Sequence, residues 1–445
     1  MTYRDIFITP LVIVFVLSIA WYLRPLMTNI QTRRYFFPGL FVKLVGALAV
    51  GFIYQFYYGG GDTFTYFHLG SVHIWDAFID SPLKAMKLIF GTNEYTGDTF
   101  EYSSKIYTFL DMHSYFVVRI AGLLGILTFN TYSSIAVLFG ALSFTGIWAM
   151  YIGLNSIYKD MHWPFAIAVL FIPSVFFWGS GLLKDTLTLG ALGWLTYGAI
   201  HIFLLKKRIV SSVIVLVISG YILYVVKIYI LLCLIPAIIL WVMQNYTKSI
   251  KQLLVRIIIW PLSIIFVFVL GYYTITILGE TSHRYSIDKF AYTAESTAKW
   301  NYYVSQRDGG SGYTLGDYDY SSTGLIKKFP SAVWVALYRP YLWESGNVVM
   351  LLSGLENFFI LLLTLYTVYK VGIRGVISTV FNEPYVFFCL IFCVGFAFAV
   401  GVSTYNFGSL VRYKIPLIPY FITALLIIRY HKNRLRKFSP LDSIE

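Results

Sequence analysis

Charge is scarce in this chain. Of 445 residues only 12% are Asp, Glu, Lys or Arg, while 58% are hydrophobic. A soluble globular domain carries roughly a quarter of its residues as charges, so half that share excludes a surface that faces water all round. Cysteine is scarcer still: Cys233, Cys389 and Cys393 all lie inside apolar runs. Their spacing excludes a zinc site and a disulfide framework, and Cys389 and Cys393 read as small buried side chains. There is no Rossmann fingerprint, no phosphate loop and no soluble module, which disfavours a nucleotide substrate. No internal repeat is visible, so an inverted-repeat transporter gains no support.

What is abundant is apolar and aromatic. Phe, Trp and Tyr make up 19% of the chain, and Trp and Tyr collect at bilayer interfaces. Runs long enough to span a bilayer, about 17 to 24 residues, recur near 6–23, 38–57, 132–154, 164–179, 183–204, 209–226, 228–244, 257–278, 346–369, 385–402 and 409–429. The expected fold is therefore all-α and integral to a membrane, a single polytopic domain over 1–445 with about eleven transmembrane helices. The first run lacks a basic leader and a small-residue cleavage site, and Arg24, Arg33 and Arg34 follow it, so it reads as a retained anchor rather than a signal peptide.

The net charge of +13 fits cytoplasmic loops better than nucleic-acid binding. If Tyr115–Thr128, which is short and carries Arg119, does not cross, the basic loops fall on one side. They are Arg24/Arg33/Arg34, Lys159, Lys206/Lys207/Arg208, Lys248/Lys251/Arg256, Lys370/Arg374 and the tail Arg429–Lys437. That orientation puts the N-terminus outside and the C-terminus in the cytoplasm of a cell (inner) membrane. Tyr115–Thr128 then lies along the outer interface. Two long segments project outward. The first, 58–131, carries short interfacial helices near 62–80, 82–90 and 102–128. The second, 279–345, includes a polar, glycine-rich stretch over 308–322, expected to be mobile, and a helix-like run from Thr323 to Leu337.

Four charged clusters fall on that outer side. They are Asp62 in YYGGGDTFTYF, Lys184 with Asp185 in GSGLLKD, Arg339 with Glu344 in LYRPYLWE, and Arg412 with Lys414 in GSLVRYKIP. Charges near a bilayer persist where they are paired or line a wet cavity, so together they suggest one outward-facing polar pocket. Each also has a plainer explanation. Asp62 can cap a helix, Lys184 and Asp185 can neutralise each other, Arg339 and Glu344 can form a surface pair, and Arg412 or Lys414 can snorkel. Two or three fixed cations suit a phosphate or diphosphate, and a nearby acid can take a proton from a hydroxyl nucleophile. Outer-loop acids can also hold a divalent cation beside a phosphate, but no spacing demands a metal.

The acid that opens the first outer loop in GGGDTFTYF, the interfacial helices after it and the Arg-Tyr-Lys-x-Pro pattern at Arg412 to Pro416 resemble the GT-C superfamily of polytopic glycosyltransferases. The resemblance implies a polyprenyl-phosphate sugar donor, a glycan, lipid or protein acceptor, and catalysis facing the non-cytoplasmic side. It also implies Asp62 as the base, with Lys184, Arg339, Arg412 and Lys414 as candidates for the donor phosphate. Two features depart from that pattern: Thr63 stands where many members have a second acid, and a span precedes the usual first helix. The first leaves Asp76, Asp80, Asp98, Glu101 and Asp111 as further candidates for the base. A lipid-linked polysaccharide polymerase or ligase shares most of these features, and a transporter or flippase of lipid-linked sugars is the reading from another class.

Overall fold

The computed structural model describes residues 3–248, 287–307, 312–316 and 321–437, with scattered positions between 250 and 276. The described chain is helical, with one isolated β-bridge between Gly312 and Asn406. Among the described residues seven helices are long and apolar enough to cross a membrane, or eight if the bent pair Phe407–Tyr413 and Ile418–Lys432 makes one span.

Four of the eleven expected runs do not appear as separate long helices among the described residues, for identifiable reasons. The run at 164–179 is broken into α9 (His162–Leu170) and α10 (Pro173–Trp178), each too short to cross alone. Pro173 sits at the first position of α10, where its missing N–H costs nothing. The runs at 209–226 and 228–244 are two helical stretches that follow one another as α12 (Ile209–Thr247), divided by a kink at the non-helical Lys227 (φ −149°, ψ 75°), where the sequence places their boundary. The run at 409–429 is bent by 64°, and that at 257–278 is described only in part, as a shorter apolar helix over Pro261–Gly271.

Contacts divide the chain into two compact units, Met1–Leu231 and Leu232–Glu445. The first contains the spans α1 (Tyr3–Met27), α2 (Arg33–Phe52, prolonged by a π-turn over Ile53–Tyr57), α8 (Tyr132–Ile157) and α11 (Lys184–Ala199, prolonged over Ile200–Leu205), with the start of α12. Helices α1 and α8 begin together. The buried Asp5 carboxylate accepts from Ser133 N at 2.8 Å, and Thr9 bonds Ser134 at 3.1 Å. An anion at the first turn of α8 satisfies an orphan amide and complements the helix dipole.

At the opposite end of this unit Trp148 donates to Met27 O at 3.1 Å, and His162 Nδ1 accepts from Arg34 and Tyr35 at 3.2 and 3.1 Å. There too Arg208 meets the Tyr197 hydroxyl. The loops bearing Arg24, Arg33, Arg34, Lys159 and Lys206–Arg208 therefore share one end. The segment between α2 and α8 occupies the other.

That segment folds into α3 (Asp62–Tyr66), a π-turn over Phe67–Ser71, α4 (Val72–Asp80), α5 (Pro82–Phe90), α6 (Phe100–Ser103) and α7 (Met112–Leu127). The short helices expected near 62–80, 82–90 and 102–128 correspond to these. α7 is 16 residues long, and its Tyr115, Val117, Val118 and Ala121 are buried against Ile74, Ala77 and Leu88 from α4 and α5. Arg119 is held locally, donating to Gly91 O and to Asn93 Oδ1 at 2.7 Å.

The second unit holds α13 (Ile287–Arg307), α14 (Ser322–Tyr338), α15 (Val348–Val371), α16 (Ile373–Asn382), α17 (Pro384–Ser403), α18 (Phe407–Tyr413) and α19 (Ile418–Lys437). α14 matches the helix expected from Thr323 to Leu337, whereas positions 308–311 and 317–320 of the glycine-rich stretch lie outside the described residues. One end of this unit carries the His431–Glu383 contact at 3.1 Å and Lys432 on Lys370 O and Val371 O. Arg339 and Lys414 are at the other.

Candidate functional site

In the first unit the charged residues converge where α7, α11 and the break in α12 meet. The turn before α11 is tight: Leu183 N donates to Gly181 O at 2.8 Å and Thr186 Oγ1 to the same carbonyl at 2.5 Å. This turn delivers Lys184 and Asp185 as the first two helical residues. Neighbours in a helix do not face each other, and these two take different partners.

Lys184 stays 19% exposed, with its ammonium 3.9 Å from the Asp111 carboxylate. Asp111 is half-exposed and caps α7, accepting from His113 N at 3.1 Å and from the Ser114 hydroxyl. Partial burial alone pushes its carboxyl up. Hydrogen bonds from Ser114 and His113 N, with the Lys184 charge, outweigh that and hold it below the usual carboxylate value. His113 Nδ1 donates to Val225 O at 2.5 Å. The carbonyl requires the proton on Nδ1, which leaves Nε2 as the basic nitrogen of the neutral ring.

Asp185 turns inward. Its side chain is fully buried and accepts from Lys227 Nζ at 2.5 Å, and Lys227 itself is only 6% exposed. The helix break at Lys227 thus coincides with a buried ion pair and with a backbone carbonyl turned to a histidine. Non-helical backbone at such depth is tolerated where other groups take up its polar atoms.

Asp62 is the first helical residue of α3 and is exposed. The expected cap is corrected: Gly61 occupies the N-cap position, at φ 125°, and a Cβ there would stand 2.6 Å from the Tyr54 ring. Only glycine fits that junction. The helix is anchored by Thr63, whose hydroxyl bonds Tyr132 OH at 2.7 Å, and by Phe64 packed on the same ring.

The other acids of this segment are engaged locally. Asp80 pairs with Lys84 at 2.5 Å, whose hydrogen bond holds its carboxyl below the usual value. Asp98 pairs with Lys87 and is lowered for the same reason. Glu101 lies 3.9 Å from Lys105, and Asp76 lies 3.6 Å from His73. Asp111 differs in reaching a cation on a spanning helix.

In the second unit Arg339 and Glu344 make the plainer pair. Arg339 Nε donates to both carboxylate oxygens at 3.0 Å, Nη2 donates to Oε1, and Glu344 also accepts from Tyr341 N at 2.8 Å. The guanidinium packs over Phe407 at 5.0 Å and Tyr313 at 5.8 Å. An open groove of about 600 Å³ lies beside this pair, lined by Trp334, Tyr341 and Trp343 among others.

Lys414 does not snorkel. It is buried and donates to Arg339 O at 3.0 Å and Asn357 Oδ1 at 2.7 Å, while Asn357 reaches Pro340 O at 3.3 Å. Arg412 is half-buried, 5.9 Å over the Tyr413 ring. Asp62, Lys184 and Asp185 thus belong to the first unit, and Arg339, Glu344, Arg412 and Lys414 to the second.

Lys43 escaped the sequence reading although a lone charge in GLFVKLVGALAV is conspicuous. It is buried in mid-α2, and its ammonium reaches Gly179 O at 2.7 Å, Ser143 Oγ at 3.3 Å and Val175 O at 3.4 Å. Three donors meet three acceptors, two of them carbonyls from the end of α10, where a cation is favoured. Lys43 therefore pins α2 to α8 and α10. No group of three or more His, Cys, Asp or Glu suited to a metal occurs among the described residues. Compared with known proteins, the chain matches no family model, no curated protein sequence and no solved structure.

Proposed function

We propose that this multi-pass membrane protein is a glycosyltransferase that moves a sugar from a polyprenyl-phosphate donor to an acceptor hydroxyl. The observation that carries this reading is the juxtaposition of Lys184, Asp111 and His113 at the end of the first unit occupied by residues 58–131. A partly exposed ammonium at the start of a spanning helix is suited to a lipid phosphate whose chain lies along the apolar helices. Acid and imidazole groups beside it suit proton removal from a hydroxyl. The basic loops at the opposite end argue, by the positive-inside bias, that this site faces away from the cytoplasm.

Asp62 remains the proposed base. It is exposed at a glycine-built helix start, at the head of the segment that lies at the same end of the unit as Lys184. Asp111, ionised and next to Lys184, is the second candidate. Transfer would proceed as the base takes the acceptor proton while the acceptor oxygen bonds C1 and the C1–O bond to phosphate breaks, leaving polyprenyl phosphate on Lys184.

The test combines two measurements on protein purified in mild detergent. Native mass spectrometry of wild type, Asp62→Asn and Lys184→Ala reads the retained lipids, and membranes supplied with labelled polyprenyl-phosphate sugars read transfer. Polyprenyl phosphate retained by wild type and Asp62→Asn but lost from Lys184→Ala, with transfer abolished in Asp62→Asn, is expected. Bulk phospholipid alone in every sample, or full transfer by Asp62→Asn, would falsify the assignment.

One observation favours transport of a lipid-linked sugar as the second reading. The buried Asp185–Lys227 pair coincides with a break in α12, and broken helices carrying charge recur at transporter substrate sites. Flipping of a fluorescent polyprenyl-phosphate analogue in reconstituted vesicles, without any transfer, would select it.

A further inference from the structure

Within the first unit α1, α2, α8 and α11 leave a crevice of about 550 Å³ that the proposed chemistry does not use. Its size is that of a ligand site rather than a packing fault. Its walls are apolar: Leu23 from α1, Phe36 from α2, and Phe144 and Trp148 from α8. The polar atoms of its two tryptophans are already engaged, Trp148 Nε1 by Met27 O and Trp194 Nε1 by Thr145 Oγ1 at 2.9 Å. What faces the crevice is mostly ring and methyl surface, with Thr28 and Asn29 at its basic end. Beyond the Trp194–Thr145 bond a second crevice of about 340 Å³ continues between α8, α11 and α12.

The rim is different. Arg208 and Tyr197 line the crevice at the end where Arg24, Arg34 and Lys206 also lie. The Arg208 guanidinium meets the Tyr197 hydroxyl at 3.4 Å, and among the described residues no carboxylate pairs with it. An exposed cation without a counter-ion at the rim of a chain-sized apolar slot is complementary to one kind of molecule, an anionic lipid with its tail in the slot and its phosphate at the arginine.

We propose that this crevice binds an anionic phospholipid from the leaflet at the basic end, at a site separate from the one around Lys184. The tail would lie along Phe144 and Trp148, and the phosphate would accept from Arg208 and Tyr197. The site stands whichever reading of the other end proves right, since it rests on different residues and the opposite end of the unit.

The test uses full-length protein in nanodiscs of phosphatidylcholine carrying a small fraction of brominated phosphatidylglycerol or, separately, brominated phosphatidylcholine. Bromine on the acyl chain quenches nearby tryptophan, and titration gives the relative affinity. The expected result is preferential quenching by phosphatidylglycerol. Arg208→Ala should weaken that preference by about fivefold, the equivalent of the ~1 kcal/mol attached to one basic residue near a charged leaflet. A second variant, Ala149→Phe, fills the crevice without adding a fluorophore and should weaken saturable quenching by phosphatidylglycerol. Because Arg208 is exposed, its variant should fold even if Ala149→Phe does not. Equal quenching by the two lipids in wild type, or an unchanged preference in Arg208→Ala, overturns the proposal and leaves Arg208 as an arginine reaching for the interface.

Discussion

Asp185 and Lys227 are 42 residues apart in sequence and 2.5 Å apart in space. Each would be costly alone in an apolar interior, since a buried charge without its partner loses hydration and gains nothing in return. Asp185→Leu or Lys227→Met should therefore lower stability by about 3–5 kcal/mol. The double variant, Asp185→Leu with Lys227→Met, should recover most of that loss. Thermal unfolding in detergent across the four proteins measures the coupling. Strictly additive losses would show that the two side chains do not act as a unit.

The same pair shows what was legible at this scale. That Lys184 and Asp185 matter was readable, because charge is rare in the surrounding run. Their partners were not, because adjacency in sequence suggested mutual neutralisation, whereas helix geometry sends the two side chains in different directions. Asp111 and Lys227 could be matched to them only by the packing of α7 and α12.

Helices α8 and α11 cross in near backbone contact. A Cβ on Gly146 would lie 1.8 Å from Gly190 O, and one on Gly193 would lie 2.2 Å from Gly146 O. Small residues at such crossings let helices gain dispersion and weak hydrogen bonds where water offers no driving force. Gly146→Val should force the pair apart and cost on the order of 1–3 kcal/mol or more. Gly220 in α12, with nothing within 4 Å of its would-be Cβ, is the control. There Ala should be neutral or stabilise by up to ~1 kcal/mol through helix propensity. Unfolding midpoints of the two variants separate contact from propensity.

Helix positions were largely visible in the apolar runs: α2, α8, α11, α15 and α17 all overlap them. Breaks were legible only in part: the kink at Lys227 falls on the boundary between the runs 209–226 and 228–244, and Pro416 signals the bend after Tyr413. The gap between α9 and α10 leaves its run apolar while ending its hydrogen bonding, and hydropathy averaged over a window passes across it. Pro173 was the one local signal of the first break.

For the whole molecule, orientation is the property most directly open to measurement. Positive loops at one end of the first unit predict that Ser104→Cys, in a background lacking Cys233, Cys389 and Cys393, is labelled by a membrane-impermeant maleimide in intact cells. Lys207→Cys should react only after permeabilisation. The reverse pattern would place residues 58–131 in the cytoplasm and remove the basis for an outward-facing transferase.

Composition alone determined that this is a membrane protein. With 12% charged residues no folded arrangement can cover its surface with hydrated groups, and backbone in lipid must then be helical. Run lengths and loop charges determined where most helices lie and which loops share an end. Which charges meet was decided only in three dimensions. The Lys184–Asp111 contact, the Asp185–Lys227 pair and the Lys43 pin all join residues from different helices. Such contacts arise from packing and from the need to satisfy each buried charge, and neither is written in local order along the chain.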